Sequence, residues 1–280
     1  MAGGRALDKV FGIATGLATA LCVAPFIFVL ATVIERGVRA VARVGIARFL
    51  TSIPPAPGSG LGGIGPALAG TVVLTCLTTL IGVPIALATA LLVVEFPKSL
   101  FARVVRACCK SLMEVPTVLI SMVVYALVVV PMGSASAIAG ALALAMVMVP
   151  YASTYMEMHL ESVPPRYREA GFALGMSRAG VALRVCAGIA ARGIAVGIAM
   201  GVARALGETA PLLFVAGGSH YAYPTTLLSP VDSLTLLIYD FATSPYPNLV
   251  EVAWGAAFVL CLAYLAIFAA VRLLTKEVRV

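Results

Sequence analysis

Residues 66–94 read PALAGTVVLTCLTTLIGVPIALATALLVV, 29 positions without a charge. At 1.5 Å per residue, a helix of this length outreaches the roughly 30 Å of bilayer hydrocarbon. A barrel strand would be about 9–11 residues long and would alternate apolar with polar residues. This run does neither, and a bilayer leaves the helix as the alternative that pairs every backbone group within its own segment. The same reading extends outward. Val10–Ile34 carries no charge, and Val115–Met156 carries none and is long enough for two spans, divided at Pro131-Met132-Gly133-Ser134. A fifth segment, about Gly193 to Phe214, is interrupted only by Arg204 and Glu208, and a sixth is Val252–Val271. The expected fold is all-α: a polytopic six-helix transmembrane bundle forming one domain, 1–280. Its spans are expected near 10–34, 66–94, 114–131, 136–157, 190–216 and 252–272.

Composition agrees. The 280 residues are 61% hydrophobic and 11% charged, where soluble domains carry about 25% charged residues. The first apolar run is too long for a signal-peptide core of about 7–15 residues. It is therefore expected to be retained, although Arg5 and Lys9 precede it. The six cysteines form no CxxC or metal-ligand spacing and read as small buried hydrophobes. No GxxxxGK[ST] string occurs, so the chain is not expected to hydrolyse ATP. No catalytic triad or metal cluster is visible, and the chain is expected to be no enzyme and to bind no cofactor itself.

Positive charge sets orientation. Lys98, Arg103, Arg106 and Lys110 follow the second span; Arg166, Arg168, Arg178, Arg184 and Arg192 follow the fourth. With Arg272, Lys276 and Arg279 in the tail, they place both termini in the cytoplasm. The span 5–6 connection holds Asp232 and Asp240 but no Lys or Arg, and faces out. His220, Tyr221 and Tyr223 there read as interface anchors. Residues 35–49 break the pattern, with Arg36, Arg39, Arg43 and Arg48 outside. The first three share one helical face, which suits an interfacial helix on the headgroups, its basic side either a solvated polar face or a patch meeting an anion-delivering partner. These loops account for the net charge of +7, and nucleic-acid binding is not expected.

The longest cytoplasmic connection, 158–189, predicts a short amphipathic helix from about Arg168 to Leu174, ended by Gly175. Glu169 would sit near its N-terminus, where negative charge is favoured. Glu169-Ala170-Gly171, then Gly175 four residues on, resembles the EAA loop of ABC importer permeases. In that family the loop docks on the cytoplasmic ATPase and transmits its movement. The resemblance assigns ATPase coupling to Arg168, Glu169, Ala170, Gly171, Leu174 and Gly175. Gly171 stands where the family motif has Ala, and the Leu-Pro that often closes the motif is absent.

The other informative stretch is RALGETAPLLF, 204–214. Arg204 and Glu208 lie at i and i+4 inside an apolar span, where a charge at the bilayer centre costs roughly 2.5–3.5 kcal/mol. With helix entry near Gly193, Arg204 lies about 17 Å along, near the midplane. Gly201 and Gly207 permit close packing or a kink, and Pro211 removes a backbone hydrogen bond. Two readings stand: a structural ion pair, or a transient anion contact at Arg204 restrained by Glu208. Arg204, Glu208 and Thr209 are the candidate pathway residues.

Ala205–Phe214 resembles the signature of the PstA-type permeases of phosphate-specific ABC importers. Gly70-Thr71, Glu95-Phe96 and Ala253-Trp254 extend the likeness along the chain. The resemblance implies a type I, MetI-like permease of a bacterial plasma membrane, working by alternating access on inorganic phosphate. It implies a heterodimer with a PstC-like sister permease, two PstB-like ATPases that carry ATP and Mg, and a PstS-like binding protein. Another oxyanion, sulfate or molybdate, and a non-transporting membrane scaffold or sensor are the alternatives.

Overall fold

A computed structural model describes residues 2–275, with side chains from 10 to 273. Arg5, Lys9, Lys276 and Arg279, which carry part of the orientation argument, lie outside the described side chains. The described chain is helical apart from turns and one isolated bridge, Gly217 to Val231.

Helix α1 (Ala2–Val44) leads through α2 (Ile46–Thr51) and a Gly- and Pro-rich loop into α3 (Gly65–Glu95). Helix α4 (Leu100–Glu114) then stands at 109° to α5 (Thr117–Met132). Helix α6 (Ala137–Glu161) is followed by α7 (Pro165–Ala173) and α8 (Arg178–Ile189). Helix α9 (Ala191–Leu206) stands at 80° to α8, α10 is Ala210–Val215, α11 is Leu234–Ala242 and α12 is Pro247–Thr275. Four helices are long and apolar enough to cross a membrane, or up to six if each bent pair is one span.

Small residues at every fourth position explain the central packing. In α3, Gly70, Leu74, Thr78, Gly82, Ala86 and Ala90 are buried. In α9, Gly193, Gly197, Gly201 and Ala205 are buried. Both helices pack on α6, which offers Gly140, Leu144, Met148, Ala152 and Met156. Lipid supplies no hydrophobic drive between helices, so close approach and dispersion do the work, and glycine allows the approach. A Cβ on Gly201 would stand 2.8 Å from the Ala152 Cβ. A second cluster joins α1, α2, α3, α11 and α12 through Val41, Phe49, Ala67, Leu237 and Val252.

Three expectations need correction. The basic stretch 35–49 is no separate interfacial helix. Helix α1 continues unbroken through Val44, because Gly37 seats against Phe258 of α12 and Arg43 pairs with Glu251. The third span starts at Thr117 rather than 114, after a turn at Val115-Pro116, and the charged residues before it form amphipathic α4. The fifth span is not one helix: it breaks at Ala190 and again at 207–209.

Candidate functional site

The segment expected to couple to an ATPase is built by its own sequence. Pro165 sits in the first turn of α7, where no N–H is required. At the other end Gly175 has φ +77. Its N–H reaches the Phe172 carbonyl at 2.9 Å, and the Met176 N–H reaches Gly171 at 3.1 Å. This is a Schellman stop, which favours glycine at the left-handed position. A Cβ at Gly175 would meet nothing, so its requirement is conformational only. Gly171 is different. A Cβ there would lie 2.9 Å from Val181 Cγ2, so the departure from alanine lets α7 close on α8.

Glu169, Ala170, Leu174 and Gly175 are exposed, Leu174 to 82%. Tyr167 and Phe172 are exposed beside them. Glu169 stands in the second turn of α7 rather than near its N-terminus, because the helix starts at Pro165. Arg168 faces the other way. Its Nε donates to Glu95 at the end of α3 (3.2 Å), Nη1 to the Val163 carbonyl (3.0 Å) and Nη2 to the Leu160 carbonyl (3.2 Å). The guanidinium thus ties α7 to the ends of α3 and α6, where helix-end carbonyls lack partners. Arg178 lies over the Phe96 ring at 4.5 Å and adds a second tie to the same end. Glu157 and Glu161 both pair with Arg106 of α4.

Deeper in the bundle, Arg204 and Glu208 form an ion pair across the break between α9 and α10. The Glu208 side chain is 7% exposed and that of Arg204 39%. Arg204 lies 5.2 Å from the Tyr151 ring centre, a cation–π contact with α6. The break is held from two sides. Tyr264 donates to the Ala203 carbonyl at 3.0 Å, and Thr235 of α11 donates to the Glu208 carbonyl at 2.9 Å. Gly207 is exposed, and a Cβ there would strike the Tyr264 hydroxyl at 2.2 Å. The Thr209 carbonyl accepts from Leu212 at 3.0 Å and opens α10. Pro211 then occupies the first turn of a new helix. It therefore costs no internal hydrogen bond, contrary to the expectation of a kinked continuous span. Gly201 lies on the buried face against α6.

The connection between α10 and α11 brings His220, expected as an interface anchor, into a polar cluster. His220 Nδ1 lies 2.8 Å from Asp232 and Nε2 2.9 Å from Asp240, with the Phe241 ring 5.3 Å away. Burial works against a charged imidazole here. The hydrogen bonds and charge of Asp232 and Asp240 outweigh it, so the His220 pKa is raised from its ordinary 6.5. A raised folded-state pKa gives stability that is full below pH 6.5 and lost as pH climbs through the raised value. The wild-type melting temperature is expected to fall across that rise, and His220→Gln to flatten the fall. Parallel curves for the two proteins from pH 5.5 to 9 would contradict this.

Residues 68–280 match the family described as binding-protein-dependent transport system inner membrane component. The chain is 41% identical over 270 residues to a probable phosphate transport system permease protein PstA of Methanocaldococcus jannaschii, covering 96% of this chain and 94% of that one. It is 32% identical to the phosphate transport system permease protein PstA of Yersinia pestis, covering 82% of this chain and 78% of that one. An inward-facing MetNI methionine ABC transporter shares the fold, with a TM-score of 0.57 at 18% identity over 76% of this chain and 95% of that chain. The break at 207–209 and the turn at Gly175 thus sit in a multi-pass membrane permease with a MetI-like fold, and the chain belongs to the binding-protein-dependent transport inner membrane components, in the branch whose named members are the PstA permeases.

Proposed function

We propose that this chain is the permease subunit of an ATP-driven phosphate importer in the plasma membrane. The observation that carries the reading is the Arg204–Glu208 pair at a broken intramembrane helix. Arg204 remains partly open on the chain's surface, where a sister permease would complete a path. A guanidinium presents donors in a fork that matches phosphate oxygens. Glu208 occupies part of that fork, so an anion binds without being trapped, as conduction requires. The PstA names at up to 41% identity favour phosphate over sulfate or molybdate.

ATP and Mg belong to two partner ATPases in this reading. Exposed Tyr167, Phe172 and Leu174 around Glu169 and Ala170 form an apolar docking tip for one of them. ATP binding pushes the tip, Arg168 passes the push to α3 and α6, and the bundle opens outward to a phosphate-binding protein. Hydrolysis returns it inward.

The test is uptake by the reconstituted transporter with binding protein and ATP. Arg204→Ala is expected to cut phosphate uptake by about tenfold or more, since hydrogen bonds to a charged group are worth roughly 1.5–3 kcal/mol. Because Arg204→Ala leaves the Glu208 carboxylate buried without its partner, Arg204→Ala with Glu208→Gln is measured beside it, and that double variant should assemble and hydrolyse ATP while uptake stays low. Normal uptake at normal expression would remove Arg204 from the pathway. Unlabelled sulfate or molybdate displacing phosphate better than phosphate itself would overturn the substrate.

A further inference from the structure

We propose that the groove between the C-terminal part of α1 and the start of α12 binds the phosphate of an anionic phospholipid headgroup. The groove encloses about 280 Å³ and is lined by Arg36, Arg39, Arg43, Pro247, Glu251 and Trp254, together with Val250. Its place follows from the helices. The charge-free run of α1 ends at Ile34, so Glu35 and Arg36 mark the edge of the hydrocarbon. Trp254 stands half-buried at the same level, where tryptophan is enriched in membrane proteins. The groove lies at the end of the bundle opposite the Glu95–Arg168 tie, since α3 runs from the Phe49 cluster to Glu95.

Its chemistry is that of a headgroup site. Arg36 lies over the Trp254 ring at 5.1 Å, and among the described residues no carboxylate pairs with it. Arg39 gives one bond to Glu35 (2.8 Å), and Arg43 one to Glu251 (2.7 Å). A guanidinium has five N–H donors, so both retain free ones. Three cations against two carboxylates leave a net positive site. The volume is at the lower end for small-ligand pockets, about 300 Å³, enough for a phosphate and its glycerol but not for acyl chains. Pro247, Val250 and Trp254 supply the apolar wall along which those chains depart. Basic residues on this face also run against the usual loop-charge asymmetry, and a bound phosphodiester offsets them.

Trp254 is the single tryptophan of the chain, so its emission reports on the groove directly. The full-length chain in detergent micelles would be titrated with phosphatidylglycerol, with an uncharged glycolipid of the same acyl chains, and with inorganic phosphate. We expect a saturable emission change with phosphatidylglycerol only. Arg36→Gln should weaken it about fivefold, and the Arg36, Arg39 and Arg43 triple glutamine variant about a hundredfold, from roughly 1 kcal/mol per basic residue. If the triple variant fails to fold, exposed Arg36→Gln carries the test alone. Equal response to the glycolipid, or a wild-type titration in Arg36→Gln, would overturn the site. The same saturation with inorganic phosphate would make the ligand the free anion and overturn the lipid assignment.

Discussion

Arg168→Ala is expected to abolish coupled phosphate uptake. Three bonds disappear together: the one to Glu95 and those to the carbonyls of Leu160 and Val163. The Glu95 side chain is only 7% exposed, and Arg168 is its sole ion-pair partner among the described residues. Removing one member of such a pair costs about 3 kcal/mol or more, because the remaining charge stays buried. The coupling helix then loses its tie to α3 and α6 while its docking tip, Glu169, Ala170 and Leu174, stays intact. ATPase subunits should still bind, and ATP hydrolysis should continue without transport. Two further variants separate coupling from stability. Arg168→Ala with Glu95→Gln removes the stranded charge, so melting temperature should recover while uptake stays lost. Arg168→Lys keeps charge but offers one point donor in place of a fork, and should retain partial uptake. Normal coupling in Arg168→Ala would show that movement enters the bundle elsewhere.

That clamp shows what the sequence could and could not display. Helix content was legible because the bilayer leaves so few alternatives, and a run such as 66–94 meets its demands alone. Gly175 was legible because a helix stop with positive φ favours one residue type. The Arg168 partners were not, since Glu95 lies 73 positions away and nothing local links the two. Arg43 and Glu251, 208 positions apart, failed in the same way. Four arginines after an apolar run resemble a surface helix until their partner across the fold is known. Helix α11 was hidden for another reason. Its nine residues, Leu234–Ala242, are too few for a span, follow Asp232 closely and include Asp240. In sequence they resemble any outer loop. In the structure Leu234, Leu236 and Leu237 are buried, and Thr235 holds the carbonyl of Glu208. The break at 207–209 owes its shape to that distant threonine and to Tyr264. Gly207 and Pro211 alone suggested only a bend.

The second large effect is expected at Gly197. A Cβ there would lie 2.7 Å from the Met156 Cγ, 3.1 Å from the Ala152 carbonyl oxygen and 3.1 Å from the Met156 nitrogen. The first contact involves a flexible side chain and can yield. The other two are α6 backbone and cannot. Gly197→Ala should therefore lower stability by about 1–3 kcal/mol, the usual cost of overpacking. Gly197→Leu should prevent α9 from seating on α6, with loss of the assembled complex on size exclusion. Gly188 gives the control. It precedes α9 by a few residues, and a Cβ there meets nothing within 4 Å, so Gly188→Ala should assemble and transport normally. Wild-type assembly in Gly197→Leu would refute the glycine contact. The functional consequence follows from rigidity. Gly193, Gly197 and Gly201 fix α9 along its length to α6, and α6 ends at the Leu160 carbonyl held by Arg168. In the proposed mechanism, a shift of α7 would reach Arg204 and Glu208 as movement of one packed pair of helices. The same shift would be lost in a bundle where α9 slid on α6. Gly197→Ala, where it still assembles, should consequently lower uptake per ATP hydrolysed more than it lowers ATP hydrolysis.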